Sequence, residues 1–307
     1  MSERLAVLDL GSNAVRLILA RVTPGVEFRV LRQERVQTRL AGHRRGLLPR
    51  AGVRQTLRAV SRFLAEVRED SQPRVVAVAT AAIREAPNAD RLLGPLRRDE
   101  GVQVRVLSGR EEARLGAAAV LWRRPLDRGA IVDLGGGSLQ VTRVRGGRIA
   151  RVASVPLGAV RTTLRFLRHD PPRAREIQAL RRETRERLLG VLPRARAGDA
   201  LIGLGGSLRA LGRIFLRTVE ENGTSPRWLK LRREEIVQLR ARLETLSARQ
   251  RRRVRGLKAD RADVILAGAV VIEELMTLGG YETLTVSNEG VRHGLLIQET
   301  FRGASSA

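Results

Sequence analysis

Cysteine is absent from the 307 residues. Disulfides, thiolate nucleophiles and Cys-ligated zinc are therefore closed to this chain. Aromatic side chains make up 3%, too few for the stacking platforms that hold single-stranded nucleic acid, and no zinc-finger, homeodomain or RRM signature appears. Lysine occurs only at positions 230 and 258, so no glycine loop ends in the Lys that a Walker A motif requires. The three histidines, His43, His169 and His293, are too far apart in sequence for a metal spacing. The apolar run Val264 to Ile272 stops at Glu273-Glu274, short of a bilayer span, and the N-terminus enters an apolar strand pattern without a signal-like pattern. The expectation is a soluble cytoplasmic protein with no membrane partner.

What is abundant is arginine. Lys plus Arg number 58 against 32 Asp plus Glu, a net charge of +26. A polyanionic partner follows from that imbalance, although a GC-rich genome also favours Arg. With so few aromatics, no specific nucleic acid is expected. A chain of this length points to two domains of roughly 100 to 200 residues each.

The stretch Ile131-Val132-Asp133-Leu134-Gly135-Gly136-Gly137-Ser138-Leu139-Gln140-Val141 reads as two strands joined by a glycine turn. Successive N–H groups in such a turn form a concave anion site. The carboxylate of Asp133 beside an anion calls for a cation between them, so phosphate and Mg²⁺ (or Mn²⁺) are expected together. Val7-Leu8-Asp9-Leu10-Gly11-Ser12-Asn13-Ala14-Val15-Arg16-Leu17 repeats the pattern, and a third turn, Gly205-Gly206-Ser207, follows another apolar run and precedes a helical one.

Around these turns the order β-β-β-α-β-α-β-α runs twice. The first copy has strands at Arg4 to Leu8, Ala14 to Val22, Val26 to Arg35, Arg74 to Ala79 and Val102 to Leu107. Asn88 reads as the cap of a short helix through Leu96. The second copy has strands at Ala130 to Asp133, Leu139 to Val144, Ile149 to Val155, Ala200 to Leu204 and Thr283 to Val286. Its helices are read at Val160 to Leu167, Arg173 to Leu192, Leu208 to Leu216, Glu234 to Leu243 and Ala262 to Leu278, with a last helix at Gly290 to Phe301. Two α/β copies with a cleft between them are expected, divided as 1–125 (joined by 290–307) and 126–289.

Arg84 leaves a strand end and could hold a phosphate bidentately. Ser108 with Glu111 fits a capping box, which leaves Glu112 on the first helical turn to take a proton from water. The basic stretches Arg143 to Arg151 and His43-Arg44-Arg45 read as solvated hairpins or loops. Gly135 to Gly137 leads into a strand, not into the helix of a dinucleotide fingerprint.

These motifs together resemble the exopolyphosphatase and guanosine pentaphosphate phosphatase family, in its short two-domain form. The resemblance runs through Asp9 to Asn13, Ala79 to Asn88, Ser108 to Leu115, Asp133 to Ser138, Leu204 to Ser207, Arg261 to Gly268 and Val286 to Leu295. It implies two duplicated actin-like (ribonuclease-H-like) domains and hydrolysis of terminal phosphoanhydrides, in inorganic polyphosphate or guanosine pentaphosphate. It implies Glu112, with Glu111 beside it, as catalytic carboxylate; Asp9, Asp133 and Gln140 near the metal; and Gly11, Ser12, Asn13, Arg84, Gly135, Gly136, Gly137, Ser138, Gly205, Gly206 and Ser207 around phosphate. It implies Arg16 and Arg261 as contacts of the nucleotide or the phosphate chain. Gln140 departs from the family's usual Glu, which weakens metal binding; Asn288 stands where Asp is common, and Ser207 where Thr is usual. Three classes stay open: a phosphatase, a catalytically silent binder of polyphosphate or alarmone, and a kinase-like transferase. A homodimer is also left open.

Overall fold

The computed structural model describes residues 2–41, 46–70, 72–219 and 228–302. The chain divides into two compact units, one reaching to Ala119 and resuming at Val291, the other running Val120–Gly290. The basic stretch His43-Arg44-Arg45 lies outside the described residues.

In the first unit, β1 (Glu3–Leu10), β2 (Ala14–Thr23) and β3 (Glu27–Gln37) form an antiparallel meander. There follow α1 (Arg50–Asp70), β4 (Arg74–Ala79), α2 (Ala81–Arg84), α3 (Asp90–Asp99), β5 (Val104–Val106) and α4 (Gly109–Arg123), the last crossing the unit boundary. The sheet order is β3-β2-β1-β4-β5, with β4 parallel to both β1 and β5. The central strand reads as a continuous apolar run because both its faces are covered: Ala6, Leu8 and Leu10 join one core cluster, Leu5 and Val7 the other.

The second unit repeats the plan with β6 (Gly129–Leu134), β7 (Leu139–Arg145), β8 (Arg148–Val155), α5 (Ala159–Phe166), α6 (Ala174–Leu188), β9 (Ala200–Leu204) and α7 (Gly206–Val219). It continues through β10 (Lys230–Arg232), α8 (Arg233–Glu244), α9 (Ala248–Arg251), α10 (Ile265–Gly279) and β11 (Thr283–Val286). Its sheet order, β10-β11-β9-β6-β7-β8, matches the first with β10 added at the edge. Helix α11 (Val291–Thr300) returns to the first unit, where Glu299 pairs with Arg74 at 2.7 Å and the Leu115 backbone lies against Gly294 so closely that a Cβ there would meet its carbonyl oxygen at 2.1 Å. No helix among the described residues is long and apolar enough to cross a membrane.

Helix α10 is buried almost throughout, yet it carries Glu273 and Glu274. Buried carboxylates need partners, and arginines from two helices supply them: Arg181 and Arg185 on α6 bond both or one of them, and Arg240 on α8 holds Glu273 at 2.6 Å.

Several boundaries differ from the sequence reading. Asn88 caps no helix; its side chain accepts from the Leu48 N–H (2.8 Å) and donates to the Leu48 carbonyl (3.1 Å), tying down a loop forty residues upstream. The helix after Arg173 stops at Leu188 because Gly190 turns left-handed (φ +70°). The strand read as Val102 to Leu107 shrinks to Val104–Val106, and α10 starts at Ile265 after a 3₁₀ turn, Ala259–Arg261. Strand β10 is only three residues, too short for a period to show.

Glu176 at the start of α6 yields a test. Burial raises its carboxyl, but the His169 ring and the N–H groups of Arg173, Arg168 and His169 outweigh that and hold it at about 2. A depressed carboxyl contributes stability above its ordinary value of 4.5 and loses it as pH falls toward about 2. Glu176→Gln should lower the urea midpoint at pH 7 and much less at pH 3. Equal losses at both pH values would mean that packing, not charge, is what Glu176 provides.

Candidate active site

The glycine turns of the two units are built alike. Gly11 N–H donates to the Ala14 carbonyl (3.1 Å) and Gly135 N–H to the Ser138 carbonyl (3.0 Å), closing two-residue hairpin loops. In the second unit the turn's carbonyls are all engaged on one side. The N–H groups of Ala159 and Val160 reach the Gly135 and Gly136 carbonyls (3.0 and 2.9 Å), and Arg161 Nε reaches that of Gly137 (2.7 Å). A trans peptide directs its C=O and N–H to opposite sides, so the N–H groups of Gly136, Gly137 and Ser138 face away from α5. Convergent amides of this kind make an anion cradle. In the first unit the Ser12 and Asn13 carbonyls are likewise tied, to the N–H groups of Ala41 (2.8 Å) and Thr38 (3.1 Å). The Asn13 amide nitrogen, within the loop, is buried without a hydrogen-bond partner.

Each hairpin carries an Asp two residues before its first loop glycine, and the repeat gives the two Asp residues different partners. Asp9 stands opposite Arg16 across β1 and β2, and the two form an ion pair at 3.1 Å. Asp133 stands opposite Gln140 across β6 and β7, so it faces a neutral amide on the same side of the sheet. Gln140 is 3% exposed, and its Nε2 donates to Ser138 Oγ at 2.7 Å and reaches Ser154 Oγ at 3.4 Å.

The third turn closes the second unit's group. Gly205 adopts φ +101°, and a Cβ there would stand 2.3 Å from the Leu134 carbonyl oxygen and 3.0 Å from Asp133 Oδ1. The buried Arg261 lies so close over Gly206 that a Cβ would meet its Nη2 at 1.9 Å, and Ser207 packs against Gly268. A guanidinium over the first turn of α7 adds positive charge to a helix end that already attracts anions.

In the first unit, the carboxyl ends of β1, β4 and β5 lie side by side, where open α/β sheets place ligand groups. Beyond β4, Arg84 Nη1 donates to the Leu107 carbonyl (2.6 Å) and to Glu112 Oε1 (2.5 Å). Its Nε and Nη2 have no hydrogen bond to a described residue. Glu112 is 7% exposed on the first turn of α4. Glu111 is exposed and completes the capping box: its Oε2 accepts from Ser108 N–H (2.7 Å), and its own N–H donates to Ser108 Oγ (3.2 Å). The Ser108 N–H first, and then the Ser108 hydroxyl, hold its carboxyl below the ordinary value.

Thus Asp9, Gly11 to Asn13, Arg16, Arg84, Glu111 and Glu112 belong to the first unit's strand ends. Asp133, Gly135 to Ser138, Gln140, Gly205 to Ser207 and Arg261 belong to the second's. Among the described residues no group of three or more His, Cys, Asp or Glu could hold a metal. Mg²⁺ needs no such cage, since it takes one or two carboxylates and completes its shell with water and substrate phosphate oxygens; the hard oxygens of Asp133 and Gln140 fit it. Arg161, Gly158 and Ser154 escaped the sequence reading, because what marks them is contact with a turn 14 to 24 residues away.

The arrangement defines a twofold α/β protein in which each unit carries an Asp-bearing glycine turn and the first unit a further buried acid, Glu112, bonded to arginine. The sequence profile of the Ppx/GppA phosphatase family matches residues 18–302, and the chain belongs to that family. An uncharacterized protein of Streptomyces coelicolor is 33% identical over 96% of this chain and 90% of its own length. Exopolyphosphatase 1 of Mycobacterium tuberculosis is 30% identical over 96% and 88%. The crystal structure of the Aquifex aeolicus Ppx/GppA family member is 27% identical with a TM-score of 0.81, covering 97% of this chain and 98% of that one. An exopolyphosphatase from Cytophaga hutchinsonii shares the fold, with a TM-score of 0.88 at 22% identity over 97% and 98%. The fold is therefore the two-unit α/β fold of that family, with one sheet plan used twice.

Gly158 tests the amide cradle. A Cβ there would stand 2.3 Å from Gly137 C and 2.4 Å from Gly136 C and O. Gly158→Ala should therefore displace the turn, costing about 1–3 kcal/mol as overpacking does, and weaken phosphate binding measured by calorimetry. Full phosphate affinity in a folded Gly158→Ala would sink the cradle as an anion site.

Proposed function

We propose that the chain is a phosphoanhydride hydrolase that releases terminal orthophosphate from inorganic polyphosphate, with the 5′ γ-phosphate of guanosine pentaphosphate as a second substrate class. The observation that carries the reading is Glu112, a buried carboxylate bonded to Arg84 at the carboxyl ends of parallel strands. Two Mycobacterium tuberculosis relatives are named exopolyphosphatases 1 and 2, in keeping with it.

Phosphoryl transfer asks mainly for positioning and charge neutralisation. The amides of Gly136, Gly137 and Ser138, with Arg261 over α7, would bind phosphate oxygens of the substrate. Arg84 fixes the Glu112 carboxylate by one nitrogen and keeps two others for an oxyanion. Glu112 would orient the attacking water and take its proton, so no covalent nucleophile is required. Asp133 and Gln140 are the residues proposed to hold Mg²⁺ or Mn²⁺, which when bound would neutralise charge on substrate phosphate oxygens, and Asp9 is the acid proposed near metal at the first unit's turn.

Glu112→Gln keeps an acceptor for Arg84 but removes the base, so turnover of polyphosphate should fall by about 10² to 10⁴ with the melting temperature and substrate affinity nearly unchanged. Glu111→Gln touches only the helix cap and should leave kcat intact. A larger kcat loss from Glu111 than from Glu112 would reverse the roles.

Gln140 favours a second reading, a binding protein with little turnover, because the amide opposite Asp133 supplies no charge to a metal. Gln140→Glu should lower the Mg²⁺ concentration for half-maximal phosphate release and raise the thermal shift produced by Mg²⁺ alone. Turnover only in Gln140→Glu would make the native chain a binder, and tight polyphosphate binding without turnover in either form would remove the hydrolase reading.

A further inference from the structure

The hairpin β7–β8 carries arginines that no part of the candidate active site uses. Its tip, Gly146-Gly147, has positive φ at both positions (+54° and +70°), as a two-residue turn matched to strand twist requires, and Gly147 N–H is anchored to the Asp127 carbonyl (3.1 Å). Across this hairpin Arg143 pairs with Arg151 and Arg145 with Arg148. Like charges directly opposite are destabilising, and here two such pairs follow one another.

Elsewhere Arg32, Arg62, Arg181 and Arg240 each pair with a carboxylate. The guanidinium groups of Arg143, Arg145, Arg151 and Arg196 have no carboxylate partner among the described residues. Three adjoining cavities of 310, 240 and 70 Å³ open along this edge of the unit. The first two share Arg128, and the last two share Arg143 and Pro193. Their carboxylates are Asp127 and Asp199, and Asp199 is already paired with Arg128. The result is a groove of adjoining cavities with excess positive charge.

The groove begins at Gly129, the amino end of β6, whereas the glycine turn follows Leu134 at its carboxyl end. A strand of that length spans about 17 Å, so the two anion sites of this unit lie at opposite ends of one strand. No aromatic side chain lines any of the three cavities, which disfavours a polymer with bases to stack.

We infer that this groove is a second polyanion site, binding a run of inorganic polyphosphate remote from the phosphate that reacts. The inference rests on the polyphosphate reading above for its ligand, and the cross-strand arginine pairs are its independent ground. An anion laid over Arg143, Arg145 and Arg151 relieves their mutual repulsion, so long chains gain affinity that short ones cannot.

The test measures binding of polyphosphate of about 100 phosphates, and of tripolyphosphate, by fluorescence anisotropy in chelator, for the wild type and for the triple variant Arg143→Gln, Arg145→Gln, Arg151→Gln. Each lost arginine contact removes about 0.7 from the log–log salt slope. The triple variant should show a slope shallower by about 2 and a long-chain affinity at least about tenfold weaker at low salt. Tripolyphosphate binding and hydrolysis should stay unchanged. Long polyphosphate should raise the melting temperature of the wild type more than that of the variant. Should the triple variant fail to fold, Arg151→Gln alone is expected to weaken long-chain binding about two- to threefold at low salt.

Unchanged long-chain affinity overturns the inference, and so does an equal loss for both lengths. Single-stranded RNA held as tightly through the same three arginines would reassign the groove to nucleic acid. Absence of tripolyphosphate hydrolysis in the wild type would count against the hydrolase reading, while the binding comparison would still decide the groove.

Discussion

The constraint on which the candidate site depends is the one-sided engagement of the glycine-turn carbonyls. Because the start of α5 and the Arg161 side chain take the carbonyls of Gly135 to Gly137, the peptide planes are fixed and their N–H groups have only the opposite side to face. That in turn demands Gly158, since any side chain there would enter the turn. The third turn is set by a similar crowding, with Gly205 against Leu134 and Gly206 beneath Arg261. The proposed anion cradle is thus shaped by contacts within the protein itself.

Duplication supplied the same scaffold twice, and divergence at one register position separated the copies. Arg16 and Gln140 each stand opposite an Asp, seven residues after it. In the first unit the Asp is neutralised within the protein by an ion pair. In the second it stands opposite an amide on the neighbouring strand. The asymmetry gives Asp133 and Asp9 different chemical prospects despite identical backbone settings.

Arginine serves two ends in this chain. Where it meets carboxylates it cements helices, as Arg181 and Arg240 do to the buried acids of α10, and Arg84 fixes the Glu112 carboxylate proposed as the base. Along β7 and β8 it meets only other arginines. Net charge cannot separate these cases, because the difference lies in which element each arginine packs against.

By itself the sequence determined the twofold α/β plan, both Asp-bearing glycine hairpins, the capping box of Ser108 and Glu111 and the isolation of Glu112. Each of these is a local signal: a period of two, a glycine run, a residue three positions from its partner. Only the tertiary structure decided that Asn88 ties a distant loop instead of capping a helix, that Arg84 grips Glu112, that Arg261 covers Gly206, and that Arg143 and Arg151 face each other. Those contacts join residues 8 to 55 positions apart. Periodicity reports which face of an element is apolar, but pairing between elements depends on strand register and helix packing, and neither leaves a trace in any short window of sequence.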